Sequence, residues 1–131
     1  MQVPAFLLRR LYVKGSLRNV DGGFAFDLKN SLGSGYAEGV LPLTIDDEEI
    51  LVDSARFVVD GESTPFGDVS HERTFTLAMN RLVTITVDGR TLDEGKHKLG
   101  IGFLVTGMGK MCFDVTDAIG PEGSAVSHGQ C

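Results

Sequence analysis

The tripeptide Val-Asp-Gly occurs at Val20-Asp21-Gly22, Val59-Asp60-Gly61 and Val87-Asp88-Gly89, each time beside a run in which apolar and polar residues alternate. Asp-Gly suits the centre of a type I′ turn, where both residues need φ > 0 and the twist matches that of the strands being joined. The chain therefore predicts antiparallel sheet. The alternation supports this: Phe24, Phe26 and Leu28 oppose Ala25, Asp27 and Lys29, while Val83, Ile85 and Val87 oppose Thr84 and Thr86. A period of two puts each set on its own face of a strand. Leu41, Leu43 and Ile45 repeat the pattern, and Leu99 to Val105 alternates large residues with Gly100 and Gly102. Met111, Phe113 and Val115 follow Gly107-Met108-Gly109, which predicts a hairpin between the last two strands. Weaker strands are expected over residues 11–14, 50–52, 55–59 and 75–77. Helical periodicity is never sustained, and residues 70–73 offer at most one helical turn.

About eight short strands parted by turn signals predict an all-β fold, an antiparallel β-sandwich or jelly roll, with a closed barrel as the other way to satisfy the pattern. At 131 residues the chain has the size of one ordinary domain. That domain is placed over residues 1–119. Residues 120–131, with no apolar periodicity, read as a flexible C-terminal tail. The net charge of −6 repels phosphate backbones and no patch mixes basic with aromatic residues, so nucleic acid is not an expected partner. No apolar run reaches membrane-spanning length, so no membrane association is expected either. Arg9 and Arg10 follow Phe6-Leu7-Leu8, the reverse of a secretory signal, and the expected compartment is the cytoplasm. Cys112 and Cys131 are accordingly expected as reduced thiols.

Side chains that carry chemistry are thinly spread. His71, His97 and His128 lie far apart with no closely spaced pair, so neither a metal nor a cofactor is expected. Asp46-Asp47-Glu48-Glu49 lacks the spacing of a calcium loop and reads as a solvated hairpin tip between residues 43–45 and 50–52. No Gly-x-Ser-x-Gly elbow is present, and Gly100-Ile101-Gly102 and Gly107-Met108-Gly109 do not open helices, so no catalytic residue is expected. Tyr36, Glu38, Asn80, Arg81 and His97 are the candidate ligand-binding set, a polar groove for sugar hydroxyls, against the plainer reading that they are ordinary surface residues. The absence of Trp removes the best platform for stacking a sugar ring. Gly100 and Gly102 leave one strand face bare, which close packing, a bend, a bulge or contact with a partner chain would each explain.

One connection has more character: Leu92-Asp93-Glu94-Gly95-Lys96-His97-Lys98-Leu99, in which Leu92 would plug the core, Gly95 would turn the chain and His97 would be placed structurally. It follows Ser16-Leu17-Arg18-Asn19-Val20, Gly23-Phe24-Ala25-Phe26, Leu43-Thr44-Ile45-Asp46-Asp47-Glu48-Glu49-Ile50 and Arg56-Phe57-Val58-Val59-Asp60-Gly61-Glu62. This order resembles the small β subunit of the bacterial C-glycoside deglycosidases and related small β-sandwich proteins, over residues 6–119. In that family the β subunit pairs with a larger barrel-type α subunit that holds the metal and the acid and base residues. The resemblance implies a non-catalytic accessory or scaffolding subunit in carbohydrate metabolism, paired with a larger catalytic α-type subunit or assembled as a homo-oligomer. Residues 99–115 and the tail depart from the pattern, where that subunit would end sooner, which leaves the partner's identity open between a catalytic chain and a self-assembling branch. An autonomous carbohydrate-binding module or small sugar-active enzyme is the alternative.

Overall fold

The alternating runs become strands of two facing antiparallel sheets. The computed structural model describes residues 4–119. In chain order the strands are β1 (Arg18–Val20), β2 (Gly23–Lys29), β3 (Gly35–Val40), β4 (Thr44–Ile45), β5 (Glu48–Glu49), β6 (Ala55–Val59), β7 (Glu62–Pro65), β8 (Phe75–Leu77), β9 (Leu82–Asp88), β10 (Gly95–Val105) and β11 (Gly109–Ile119). One sheet runs β1-β2-β9-β6-β7. The other is built on β10: β11 pairs along one side of it, while β4 and β3 lie end to end along the other and carry β5 and β8 outside them. The fold is the all-β sandwich that the alternation predicts, with more and shorter strands.

Phe24, Phe26, Ile85, Val87 and Phe57 from the first sheet, with Leu99, Ile101, Phe103, Ala37, Ile45 and Phe113 from the second, are buried in a single core. Phe57 is central to it. Its ring stacks on Phe66 at 4.5 Å and Phe75 at 4.2 Å and lies 6.4 Å from Phe103, so one side chain joins the sheets. Aromatic pairs at these separations add to what area burial alone provides.

Two of the three Asp-Gly pairs form hairpins, β1 to β2 and β6 to β7. In the second, Asp60 (φ 52°) and Gly61 (φ 83°) both have the positive φ of a type I′ turn. The third pair does not. The Gly89 N–H donates to the Gly22 carbonyl (2.7 Å), and the chain leaves β9 to cross to the other sheet.

Four local expectations are corrected. Asp46 (φ 52°) and Asp47 (φ 69°) form the β4 to β5 turn by themselves, so Glu48 and Glu49 pair as strand and the acidic run is not all tip. Residues 50–52 are not strand, since the hairpin has already closed and Val52–Ser54 makes a 3₁₀ turn. Leu41 and Leu43 flank Pro42 at the corner between β3 and β4, where proline has no N–H for a ladder. Residues 11–14 keep only the Tyr12 bridge to Leu28, after a helical turn α1 (Ala5–Leu8) and a 3₁₀ turn (Arg9–Leu11). Residues 70–73 form a loop closed by backbone bonds in both directions between Ser70 and Arg73. Cys112 is an exposed free thiol, while Cys131, His128 and the expected tail lie outside the described residues.

Gly23 marks the tightest approach in the first sheet, for a Cβ there would stand 1.8 Å from the Val87 carbonyl oxygen. At Gly39 the nearest atom, 2.9 Å away, is the flexible Cδ1 of Leu104. Urea denaturation should therefore show Gly23→Ala losing about 2–3 kcal/mol and Gly39→Ala less than about 1 kcal/mol. Equal losses would show that the backbone approach at Gly23 is not what sets the cost.

Candidate functional site

A sandwich has two ends at which its core meets solvent, and here they differ. At one end the chain leaving β9 drops Leu92 into the gap between the sheets, where it is buried. Asn19 holds it there from β1: its Nδ2 donates to the Leu92 carbonyl (2.9 Å) and its Oδ1 accepts the Leu92 N–H (2.8 Å). Gly95 (φ 117°) then turns the chain into β10 in a conformation that side chains rarely adopt.

His97 completes this closure. Its Nε2 lies 2.7 Å from the Asp93 carbonyl oxygen and its Nδ1 2.7 Å from Asp46 Oδ2. A carbonyl and an ionised carboxylate can only accept, so both ring nitrogens donate and the imidazole is positively charged. Burial pushes its pKa down, but hydrogen bonds to the Asp93 carbonyl and to Asp46, with the charge of Asp46, outweigh burial and raise it above the ordinary 6.5. Asp46 is held below its ordinary value by the Lys98 N–H (2.9 Å) first and by His97 second. The acidic turn is thus a clamp on β10, reinforced by the Asp46 N–H donating to the Lys98 carbonyl (2.8 Å).

A second clamp fixes the N-terminal segment to β11. The Tyr12 hydroxyl donates to Asp117 Oδ2 (2.6 Å), the Gly15 N–H donates to the same oxygen (2.9 Å), and Arg9 Nε donates to the Asp114 carbonyl (2.8 Å). Burial first, and the adjacent Asp117 second, raise the Tyr12 pKa far above the phenol range, so it stays a donor.

The opposite end is open. Between the end of β2, the starts of β3 and β9 and the β10 to β11 turn lies a cavity of about 360 Å³. Phe57, Phe75, Phe103 and Phe113 form part of its wall, with Leu8 from α1 closing one side. Its charged and amide or hydroxyl-bearing residues are Asn30, Ser34 and Arg81, and of these Ser34 and Arg81 are exposed. Asn30 organises the mouth: its Oδ1 accepts the N–H groups of Leu32 and Gly33, its Nδ2 donates to the Gly33 carbonyl, and its own carbonyl accepts the Asn80 N–H.

The candidate ligand-binding residues fall in three places. His97 belongs to the closed end. Tyr36 lies beside the Ala37 to Val105 pairing at the far end of β10, and the eight residues from His97 to Val105 span about 26 Å at 3.3 Å per residue. Tyr36 is exposed on the outer face of β3, while Glu38 sits at the bulge where Leu104 and Val105 pair with Gly39 and Ala37. The Thr106 hydroxyl and His71 (3.3 Å) hold the Glu38 carboxyl below its usual value, in that order. Asn80 and Arg81 form the turn at the open end, where Arg81 lines the cavity. No groove gathers all five. The cavity as a whole went unread in the sequence; its signal is the exposed apolar residues Leu32, Met79, Leu82 and Met108 beside turns that meet at one end.

Among the described residues no group of His, Cys, Asp or Glu converges in a way that could hold a metal ion. No helix among them is long and apolar enough to cross a membrane. A family model described as hydroxymethylglutaryl-CoA reductase, N-terminal domain, matches residues 7–120. No curated protein matches the chain.

The His97 clamp carries a pH signature. Because the folded pKa is raised, its contribution to stability is complete below the ordinary value of 6.5 and is lost as pH rises through the folded value. Asp46, lowered, contributes above its ordinary 3.8 and loses that contribution only as pH falls. The Tm difference between the parent and His97→Gln should therefore be largest near pH 5.5 and shrink by about pH 9. A difference that is constant or grows with pH would mean that the ring is neutral in the fold.

Proposed function

The chain belongs to the family of the hydroxymethylglutaryl-CoA reductase N-terminal domain, and on that premise we propose that it is a non-catalytic accessory or scaffolding subunit, pairing with a larger catalytic chain or with a second copy of itself. The observation that carries this reading is the outer face of the six-stranded sheet. Gly39, Gly100 and Gly102 bring no side chains to it, and the chain's own Leu104, Thr44 and Leu41 lie over them: a Cβ at Gly100 would stand 2.1 Å from Thr44 Oγ1, and one at Gly102 2.7 Å from Leu41 Cδ1. The bare face is thus filled by close packing from within the chain, and Tyr36, Leu104 and Cys112 stand exposed on it among Lys98, Lys110 and Asp114, which the strand register puts on the same face. Exposed aromatic and aliphatic side chains set among charges of both signs on a sheet suit association with another protein surface better than a small polar ligand.

The polar side chains point the same way. His97, Asp46, Asn19, Tyr12 and Asp117 are each engaged in tying one part of the chain to another, which supports a scaffold. The family description names a domain of an enzyme, and the resemblance to the deglycosidase β subunit names a subunit of one. Both descriptions support a role beside a catalytic unit. With the deglycosidase resemblance the partner's reaction would be glycoside cleavage, with the family description it would be a reduction, and a co-purified chain would distinguish them by its own activity.

Light scattering of the purified chain, alone and after expression with its genomic neighbours, should give a stoichiometric complex or a homo-oligomer. Leu104→Arg should dissociate it while leaving Tm within about 3 °C, as expected for a surface substitution. A chain that is monomeric in every preparation would overturn the reading.

A further inference from the structure

The open end of the sandwich has a separate chemistry. Its cavity of about 360 Å³ falls in the range of about 300–1,000 Å³ that holds small organic ligands. At about 30 Å³ for each small group, the share of a water in the liquid, it accommodates roughly a dozen non-hydrogen atoms. Four phenylalanines and several aliphatic side chains line it, so water inside would find almost no partners. Hydrocarbon is the chemistry that fits.

The mouth adds a charge. Arg81 lines the cavity and is exposed, and its guanidinium makes no ion pair or hydrogen bond among the described residues, in a chain of net charge −6 where carboxylates outnumber cations. A guanidinium binds a carboxylate through two parallel N–H donors, and the cost of desolvating it is small at an open rim. Around it Leu32, Met79, Leu82 and Met108 are exposed large apolar residues of the lining or next to it in the chain. Methionine side chains adapt to irregular apolar shapes, so this rim would cover the part of a chain that emerges from the cavity.

We propose that the cavity binds an amphipathic carboxylic acid of medium chain length, with its hydrocarbon among Phe57, Phe75, Phe103 and Phe113 and its carboxylate on Arg81. This goes beyond the pairing role, which uses the outer face of the six-stranded sheet, and the two sites are separable by mutation.

The test is calorimetric titration of the full chain with decanoate and, in parallel, with neutral decanol. Saturable one-to-one decanoate binding is expected. Arg81→Gln should weaken decanoate about tenfold or more, the loss of a charge-assisted bond, and leave decanol unchanged. Ala78→Phe, which fills the lining, should weaken both, with circular dichroism confirming its fold; the Arg81→Gln comparison stands without it. Leu104→Arg should leave decanoate binding intact even where it disrupts assembly. Absence of saturable binding at about 1 mM decanoate would overturn the proposal. Binding equally insensitive to Arg81→Gln and Ala78→Phe would overturn it as surfactant adsorption.

Discussion

The reciprocal hydrogen bonds between Asn19 and Leu92 close one end of the sandwich, and much of the remaining geometry follows from that closure. Leu92 can occupy the gap between the sheets only if its backbone polar groups, carried inward with it, are satisfied by something other than water. Asn19 supplies both a donor and an acceptor from the edge strand of the first sheet. With Leu92 fixed, the chain must reverse at Gly95 to enter β10, and His97 arrives where its two nitrogens meet Asp93 and Asp46. The β4 to β5 turn is thereby tied to β10, so polar groups from three separate stretches of chain are spent on one closure.

β10 is the member on which the second sheet is assembled, because it pairs with β11 along its whole length and with β3 and β4 on its other side. Its inward residues Leu99, Ile101, Phe103 and Val105 belong to the core, whereas its outward positions include Gly100 and Gly102. Leu41, beside Pro42, lies against Gly102, and Thr44, the cross-strand partner of Gly100, lies against that glycine, so a side chain at either position would collide with them. The same packing that makes glycine necessary leaves Tyr36, Leu104 and Cys112 exposed among Lys98, Lys110 and Asp114 on that face, so a feature of the fold becomes the surface on which the pairing role rests.

The alternation of Phe24 to Leu28 and Val83 to Val87 made β2 and β9 readable from sequence, because a strand with one buried face writes its period directly into residue choice. The plug at Leu92 and the turn at Gly95 were legible for a similar reason, each position having a single structural demand. β3 was not, since Gly35, Tyr36, Glu38 and Gly39 obey the bulge and the crossing Leu104 rather than a burial pattern. The third Asp-Gly pair misleads because a positive φ at Gly89 serves a crossover as well as a hairpin. Of the five candidate residues, Arg81 reaches the cavity, and the apolar walls stayed hidden because phenylalanines from β6, β8, β10 and β11 read separately as core. Only the topology shows that these strand positions meet at an end where no described residue plugs the gap as Leu92 does at the other.

One end of the sandwich is sealed by polar clamps and the other is open, an asymmetry that native-state hydrogen exchange tests residue by residue. The Leu92, Lys98 and Asp46 amides, all bonded within the clamp, should exchange only with global unfolding. The Asn80, Thr106 and Met108 amides, bonded around the open end, should exchange through local opening, at least about a hundredfold faster. Equal protection at both ends, or faster exchange at Leu92 than at Thr106, would contradict that asymmetry.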